Sequence, residues 1–405
     1  LLNDNPLLIA LGVLLIISPM IKTLLERVGI PPAVGYILLG LLLSALNQYQ
    51  PFVNVVFENT FTVLAHVGIV ALLFRVGLKS HPKTLLAKLP DASFIWLGDV
   101  LTNLVFGFVV AHYGLAFSLE TSLAIATAFS ATSVAVSVAV WQEMGQLNTP
   151  KAQLLVDVAE LDDLSGVVLL AVLLAVLPVL QQDGISILPV VGGTAFMVLL
   201  KLALFITSCY LFAHYLEARF TRFSREMENS TTALTITILG AGLVIAAMAG
   251  YLGLSLAIGA LFAGFAFSRD HEAVHTDAKF AYFYELFTPF FFIHIGMQVD
   301  VEAIIPSLEL GILLFVVAAL GKLIGVTLPA LRSLSRRDAT LLGISMIPRA
   351  EIALVIVFQC RQLGDEIISD EVFAALVFVS LASSIFSPLL LRRLLGTIPA
   401  NRTDR

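Results

Sequence analysis

Charge is what this chain has least of. Aspartate, glutamate, lysine and arginine make up 13% of its 405 residues, about half the roughly 25% of a soluble domain. With 59% hydrophobic residues and a mean hydropathy of +0.96, this shortage excludes a water-soluble globular protein. Cysteine is nearly absent. Cys209 and Cys360 both lie in apolar stretches, so no disulfide framework is expected. Apolar and polar residues do not alternate, which argues against a membrane β-barrel. There is no P-loop, zinc-ligand spacing or nucleophile elbow, so no hydrolytic or ATP-driven enzyme is indicated and no cofactor is expected. A net charge of −6 gives no basis for nucleic-acid binding. The first residues lack the basic segment and cleavage site of a signal peptide, and because the chain begins at Leu1, residues are expected to precede it.

Long apolar runs fill the chain instead. A spanning helix needs about 20 mostly apolar residues. Thirteen candidate runs lie near 7–25, 33–46, 61–78, 92–113, 121–141, 153–180, 194–216, 231–249, 252–268, 280–299, 308–330, 339–361 and 371–391, the second of them short and glycine-containing. Positive charge tests this count, because cytoplasmic loops collect lysine and arginine. When the loops are assigned alternately to two sides, one side takes every loop lysine and arginine except Arg361, while Arg75, Lys201, Lys322 and Arg349 fall inside runs. The pattern predicts an all-α polytopic protein with thirteen transmembrane helices, its N-terminus outside and its C-terminus in the cytoplasm.

An ionisable group at mid-membrane costs about 2.5–3.5 kcal/mol on insertion scales, so such residues point to function. The sixth run contains Glu160, Asp162 and Asp163. On a helix the two aspartates splay across one broad face, and Glu160 shares the side of Asp163. Carboxylates this close do not all ionise cheaply, so the cluster suits a proton or a hard cation held in alternation. The eleventh run holds Lys322, too deep to snorkel and in need of a carboxylate, with the aspartate pair as the obvious candidate. The twelfth contains Pro348-Arg349-Ala350-Glu351. Proline breaks the helix there, and the two charges, two residues apart, are expected to pair with other groups. The fifth run carries Ser130, Thr132 and Ser133 at its centre. These hydroxyls either bond back to their own helix or belong to an unwound, ion-coordinating segment. Broken helices in the middle of runs four to six and of runs eleven to thirteen point to inverted repeats around a mid-membrane site.

At these residues the chain resembles the monovalent cation:proton antiporter-2 family, in its NapA-like sodium/proton branch. The matching stretches are Leu73-Phe-Arg-Val-Gly-Leu78, Ala131-Thr-Ser-Val134, Leu161-Asp-Asp-Leu164, Gly321-Lys-Leu-Ile-Gly325 and Pro348-Arg-Ala-Glu351. The resemblance implies a sodium/proton antiporter fold with two broken, crossing helices. Asp163 would carry the ion or proton, and Asp162 would form a breakable salt bridge with Lys322. Both aspartates would bind sodium, and Thr132 and Ser133 would lie at the crossing. It also implies residues 1–91 and 231–307 as a dimerisation domain, 92–180 and 308–395 as a mobile core, 181–230 as a linker helix and 396–405 as a cytoplasmic tail. The expected partners are membrane lipid and a second copy of the chain, in a prokaryotic inner membrane, with electrogenic exchange. Glu160 departs from the family pattern as a candidate modulator beside Ser130, and Arg75 departs from it as well. A potassium efflux antiporter of the Kef type without its nucleotide-binding domain, and a sodium-coupled symporter, are the competing readings. Lesser features are His271 and His275 as pH sensors, His294 as a packing residue, Gly259 and Gly264 as a close helix contact, and a glycosylation-like Asn229-Ser-Thr231, discarded because it would face the cytoplasm.

Overall fold

The computed structural model describes residues 5–49, 53–79, 82–146, 149–180, 187–217, 219–222, 231–252, 254, 256–268 and 273–396. Among them every regular element is helical. In chain order the α-helices are α1 (Asn5–Arg27), α2 (Pro32–Tyr49), α3 (Val55–Lys79), α4 (Pro82–Val109), α5 (Leu119–Ser130), α6 (Val134–Glu143), α7 (Pro150–Leu180) and α8 (Ile187–Leu211). They continue with α9 (Thr231–Tyr251), α10 (Leu256–Phe267), α11 (Ala273–Met297), α12 (Val301–Ala330), α13 (Arg336–Ser345), α14 (Glu351–Gln362) and α15 (Asp370–Gly396). A helix or a pair of half-helices lies over each apolar run. Among the described residues seven helices, α1 to α4, α7, α12 and α15, are long and apolar enough to cross a membrane by length and composition. Asn229, His271 and the tail after Gly396 lie outside the described residues, as does the side chain of His275.

Lipid offers no partners for backbone N–H and C=O groups, so the apolar runs must satisfy them within helices. The exceptions are informative. The fifth run splits into α5 and α6, with Ala131 extended (φ −74°, ψ 140°). The twelfth splits into α13 and α14, and residues 346–350 between them are not α-helical. Each split helix is the middle member of a set of three, between α4 and α7 and between α12 and α15. α4 and α8 end differently, each running into a π-helical turn, Val110–Gly114 and Phe212–Leu216. Both turns contain Ala-His-Tyr, with His112 stacked on Phe108 and His214 on Tyr210. Tyr113 and Tyr215 are exposed, as suits residues of an interfacial aromatic belt.

The chain divides into two compact units. The first gathers Leu1–Ser18, Tyr36–Lys83 and Leu170–Gln298. Its helices approach closely where glycines meet: Gly40 of α2 lies against Gly296 of α11, and Gly77 of α3 against Gly264 of α10. Gly259 packs on Ala246 of α9, so both glycines of the Gly259–Gly264 pair serve contacts within the chain. Phe74, Phe267 and Phe280 fill the space beside them. Arg75, the departure noted in the third run, lays its guanidinium over the Tyr284 ring at 4.3 Å, a cation–π contact. His294 is buried with Gln298, whose amide nitrogen lies 3.1 Å from its ring, which is the packing role expected of it.

A Cβ at Gly264 would drive into the Phe74 carbonyl oxygen and the Leu78 amide nitrogen. Gly264→Ala gains about 1 kcal/mol of helix propensity but loses about 3 kcal/mol to overpacking, the upper end of the usual range, because the clash is with main-chain atoms. The expected net result is a lower thermal midpoint for the detergent-solubilised protein. A midpoint equal to or above that of the parent would refute the close approach.

The second unit gathers Pro19–Gly35, Thr84–Leu169 and Val299–Arg405 and contains both broken helices. Its core includes Trp141, Leu155, Val158, Leu341, Met346 and Leu391. Trp141 also donates from Nε1 to the Ser345 hydroxyl at 2.9 Å. α13 starts where Ser335 accepts from the Asp338 amide, a side-chain N-cap. Lys151 at the start of α7 bonds Asp338 at 2.9 Å. Partial burial pushes the Asp338 carboxyl up, but the hydrogen bonds from Lys151 and Ser335 outweigh it and hold the group below its usual range.

Candidate functional site

Every residue of the site belongs to the second unit. Its frame is the pair of helix breaks. The amide of Ser133 donates to the Pro348 carbonyl at 2.8 Å, and Gly166 of α7 leaves room for Ala131 and Ile352 to pack against it. Breaking a helix strands carbonyls at one end and amides at the other, and those ends carry partial negative and positive charge. The chain meets the carbonyl end of α5 with two cations. Lys322 donates to the Ser130 carbonyl at 2.6 Å, and Arg349 to the Phe129 carbonyl at 2.8 Å. Glu351 sits in the first turn of α14, where a negative charge is favoured, and accepts the Ser133 hydroxyl at 2.8 Å.

The unwound stretch between α13 and α14 is held by α15. Ser380 and Ser384 donate to the Arg349 carbonyl at 2.7 and 3.2 Å. Ser383 accepts the Arg349 amide at 3.1 Å, and Ser387 donates to the Ile344 carbonyl at 2.8 Å. Positions 380, 383, 384 and 387 share one helical face. From α6, Ser137 donates to the Ser345 carbonyl at 2.6 Å. Several of the main-chain groups at the break are therefore bound by protein hydroxyls, as irregular backbone at membrane depth requires internal partners.

Lys322 is fully buried and ends between two carboxylates, Asp99 Oδ2 at 2.8 Å and Asp162 Oδ2 at 3.1 Å, both also fully buried. The Asp162 pairing is the one the family resemblance implied; Asp99, seven residues into the fourth run, is an addition to it. Asn103, one turn further along α4, donates to Asp99 Oδ1 at 2.7 Å and accepts from Arg349 at 3.0 Å. Arg349 also donates to the carbonyls of Ile347 and Ala318, each at 3.1 Å. A continuous line of polar contacts thus runs from Asp162 through Lys322, Asp99 and Asn103 to Arg349. Arg349 and Glu351 do point to separate partners, but those of Arg349 are carbonyls and one amide rather than acids.

The remaining site residues differ in how they are committed. Ser130 bonds back to the Thr127 carbonyl at 2.7 Å while its own carbonyl receives Lys322, so the helix-bonded and unwound readings of this segment each hold in part. Thr132 Oγ1 and Asp162 Oδ1 are buried oxygens without a hydrogen-bond partner. Asp163 is partly buried and has no hydrogen bond or ion pair among the described residues. The charges acting on it are those of Asp162, Glu351, Lys322 and Glu160. Glu160 is exposed on α7. The arrangement offers two buried oxygens and one uncommitted carboxylate beside a lysine that already neutralises part of the cluster. Oxygens of this kind are the chemistry that protons and hard cations take.

Residues 12–396 match the family model described as "Sodium/hydrogen exchanger, transmembrane". The chain is 30% identical over 384 residues to the Na(+)/H(+) antiporter of Enterococcus hirae, covering 93% of this chain and 94% of that protein. It is 26% identical over 396 residues to the Na(+)/H(+)-K(+) antiporter GerN of Bacillus cereus, with 95% of each covered. In three dimensions it is similar to the sodium proton antiporter MjNhaP1 from Methanocaldococcus jannaschii, with a TM-score of 0.74 at 15% identity, over 96% of this chain and 98% of that one. That likeness shows the shared fold.

Proposed function

Since the chain belongs to the sodium/hydrogen exchanger family, we propose that it is a secondary active antiporter, a transporter rather than an enzyme, exchanging a monovalent cation for protons. Sodium is the first candidate, lithium and potassium the others. The observation that carries this reading is the aspartate pair. One oxygen of Asp162 is bound to Lys322 and the other is buried without a partner, and the neighbouring Asp163 is uncommitted. Asp163 carries the cation or the proton. Asp162 releases Lys322 when the cation arrives, and Thr132 adds a neutral oxygen. A hard monovalent ion suits oxygen ligands of this kind. Proton and cation compete for the same oxygens, so the two are exchanged rather than carried together.

In this reading the chain crosses the membrane thirteen times with its C-terminus in the cytoplasm. Residues 92–180 and 308–395 form the moving core, and residues 1–91 and 231–307 form the surface of a homodimer, as befits a prokaryotic inner-membrane protein working by alternating access. Two carboxylates against one bound monovalent ion favour electrogenic exchange, in which each 100 mV contributes about 2.3 kcal/mol per net charge. The potassium in the name of the Bacillus relative is the reason to keep that ion in the test.

Proteoliposomes with an imposed pH gradient test the proposal. Sodium and lithium are expected to dissipate the gradient, and a membrane potential of the appropriate sign should accelerate the flux. If sodium, lithium and potassium all leave the gradient intact, the antiport reading falls.

A further inference from the structure

Lys322 has two carboxylates where a breakable bridge needs one. They are held differently. Asp99 has both oxygens occupied, Oδ1 by Asn103 at 2.7 Å and Oδ2 by Lys322 at 2.8 Å, and Asn103 is itself fixed by Arg349 at 3.0 Å. Asp162 holds Lys322 at the longer distance of 3.1 Å and leaves its other oxygen without a partner. Of the two arms, the one to Asp162 is free to open, and the one to Asp99 is built in.

We infer that Asp99 is a positioning residue, the permanent anchor of Lys322, which keeps the buried ammonium paired while a cation occupies Asp162. An isolated buried charge is far more costly than a paired one. Without Asp99, a cation taking Asp162 would strand the ammonium with only the Ser130 carbonyl for company. With it, Lys322 leans from one carboxylate to the other and no charge is orphaned. Asn103 orients the anchor by holding Oδ1, so that Oδ2 faces the lysine. The inference rests on the exchange reading above and adds to it the residue that makes release of Asp162 cheap.

The test compares Asp99→Asn, Asp99→Glu and Lys322→Ala, singly and as the Asp99→Asn/Lys322→Ala pair, in sodium-driven proton flux from proteoliposomes. Asp99→Asn is expected to raise the KM for sodium roughly 10- to 100-fold, the worth of a charge-assisted bond, with a smaller effect on maximal rate. Asp99→Glu should bring KM back toward the parent value. Once Lys322 is alanine there is no ammonium to hold, so adding Asp99→Asn should change KM by less than about twofold. If Asp99→Asn alone does not fold, the double variant against Lys322→Ala still decides the question, because it removes both the anchor and the ammonium that it holds. A full KM penalty that persists in the Lys322→Ala background would make Asp99 a direct ligand or a structural residue and overturn the anchor. An unchanged KM in Asp99→Asn would overturn it too. Failure of the parent protein to exchange any cation sinks the antiport reading instead, so the two failures are distinguishable.

Discussion

Asp163→Asn is expected to reduce cation-dependent proton flux to the level of protein-free liposomes. Asparagine keeps the size and shape of the side chain, so the partly buried position on α7 should tolerate it without loss of fold. What goes is the ability to alternate. A carboxylate holds either a proton or a cation, and an amide holds neither at full strength. Losing a charge-assisted interaction of about 1.5–3 kcal/mol lowers affinity roughly 10- to 150-fold. Loss of the proton carrier removes turnover as well. Flux within a few-fold of the parent would mean that the exchanging carboxylate is elsewhere. Thermal stability measured alongside separates the chemistry from misfolding.

The second large effect concerns stability. Arg349 is 2% exposed, and its side chain reaches the carbonyls of Ile347, Phe129 and Ala318 and the Asn103 amide oxygen. Arg349→Ala leaves three buried acceptors, the Ile347 and Phe129 carbonyls and the Asn103 amide oxygen, without their donor, while the Ala318 carbonyl keeps its bond within α12. At about 1–3 kcal/mol for each unsatisfied group, the loss is about 3 kcal/mol or more, at the high end for one substitution. Arg349→Lys rescues little, because one ammonium does not span acceptors that a planar fork reaches from two nitrogens. The expected readout is a strong fall in the thermal midpoint, or failure to obtain monodisperse protein, for both variants. A midpoint within a degree or two of the parent would show that the crossing is held together by other contacts.

How much of this was legible in the sequence follows from the kind of signal each residue leaves. The break in the twelfth run was announced by Pro348, whose missing N–H and ring clash act locally. The break in the fifth run was half-legible, because Ser and Thr in a helix serve equally well as back-bonded hydroxyls or as unwinding residues. Lys322 deep in an apolar run demanded an acid, and the aspartate pair was the obvious supplier. Asp99 escaped because a single acid seven residues into a run reads as a helix end, and its partner lies 223 positions away. Scanning the runs for lone acids as strictly as for lone bases would have raised it. The role of Arg349 had no such signal, since it is bound mainly by backbone carbonyls, which every residue possesses. The serine face of α15 spaces its hydroxyls at a helical period, but only the neighbouring break gives that spacing meaning.

That serine face also has a mechanical consequence. Three of its hydroxyls meet the main chain of one residue, Arg349, and a fourth meets the end of α13. A discontinuity in a helix is ordinarily a soft joint, but this one is riveted along its length to an uninterrupted neighbour. Bending at the break would shear several bonds at once, so thermal motion is better accommodated by carrying α13, α14 and α15 together as a stiff block. Compliance then has to be found at the loops that lead into the block rather than at the interruption itself.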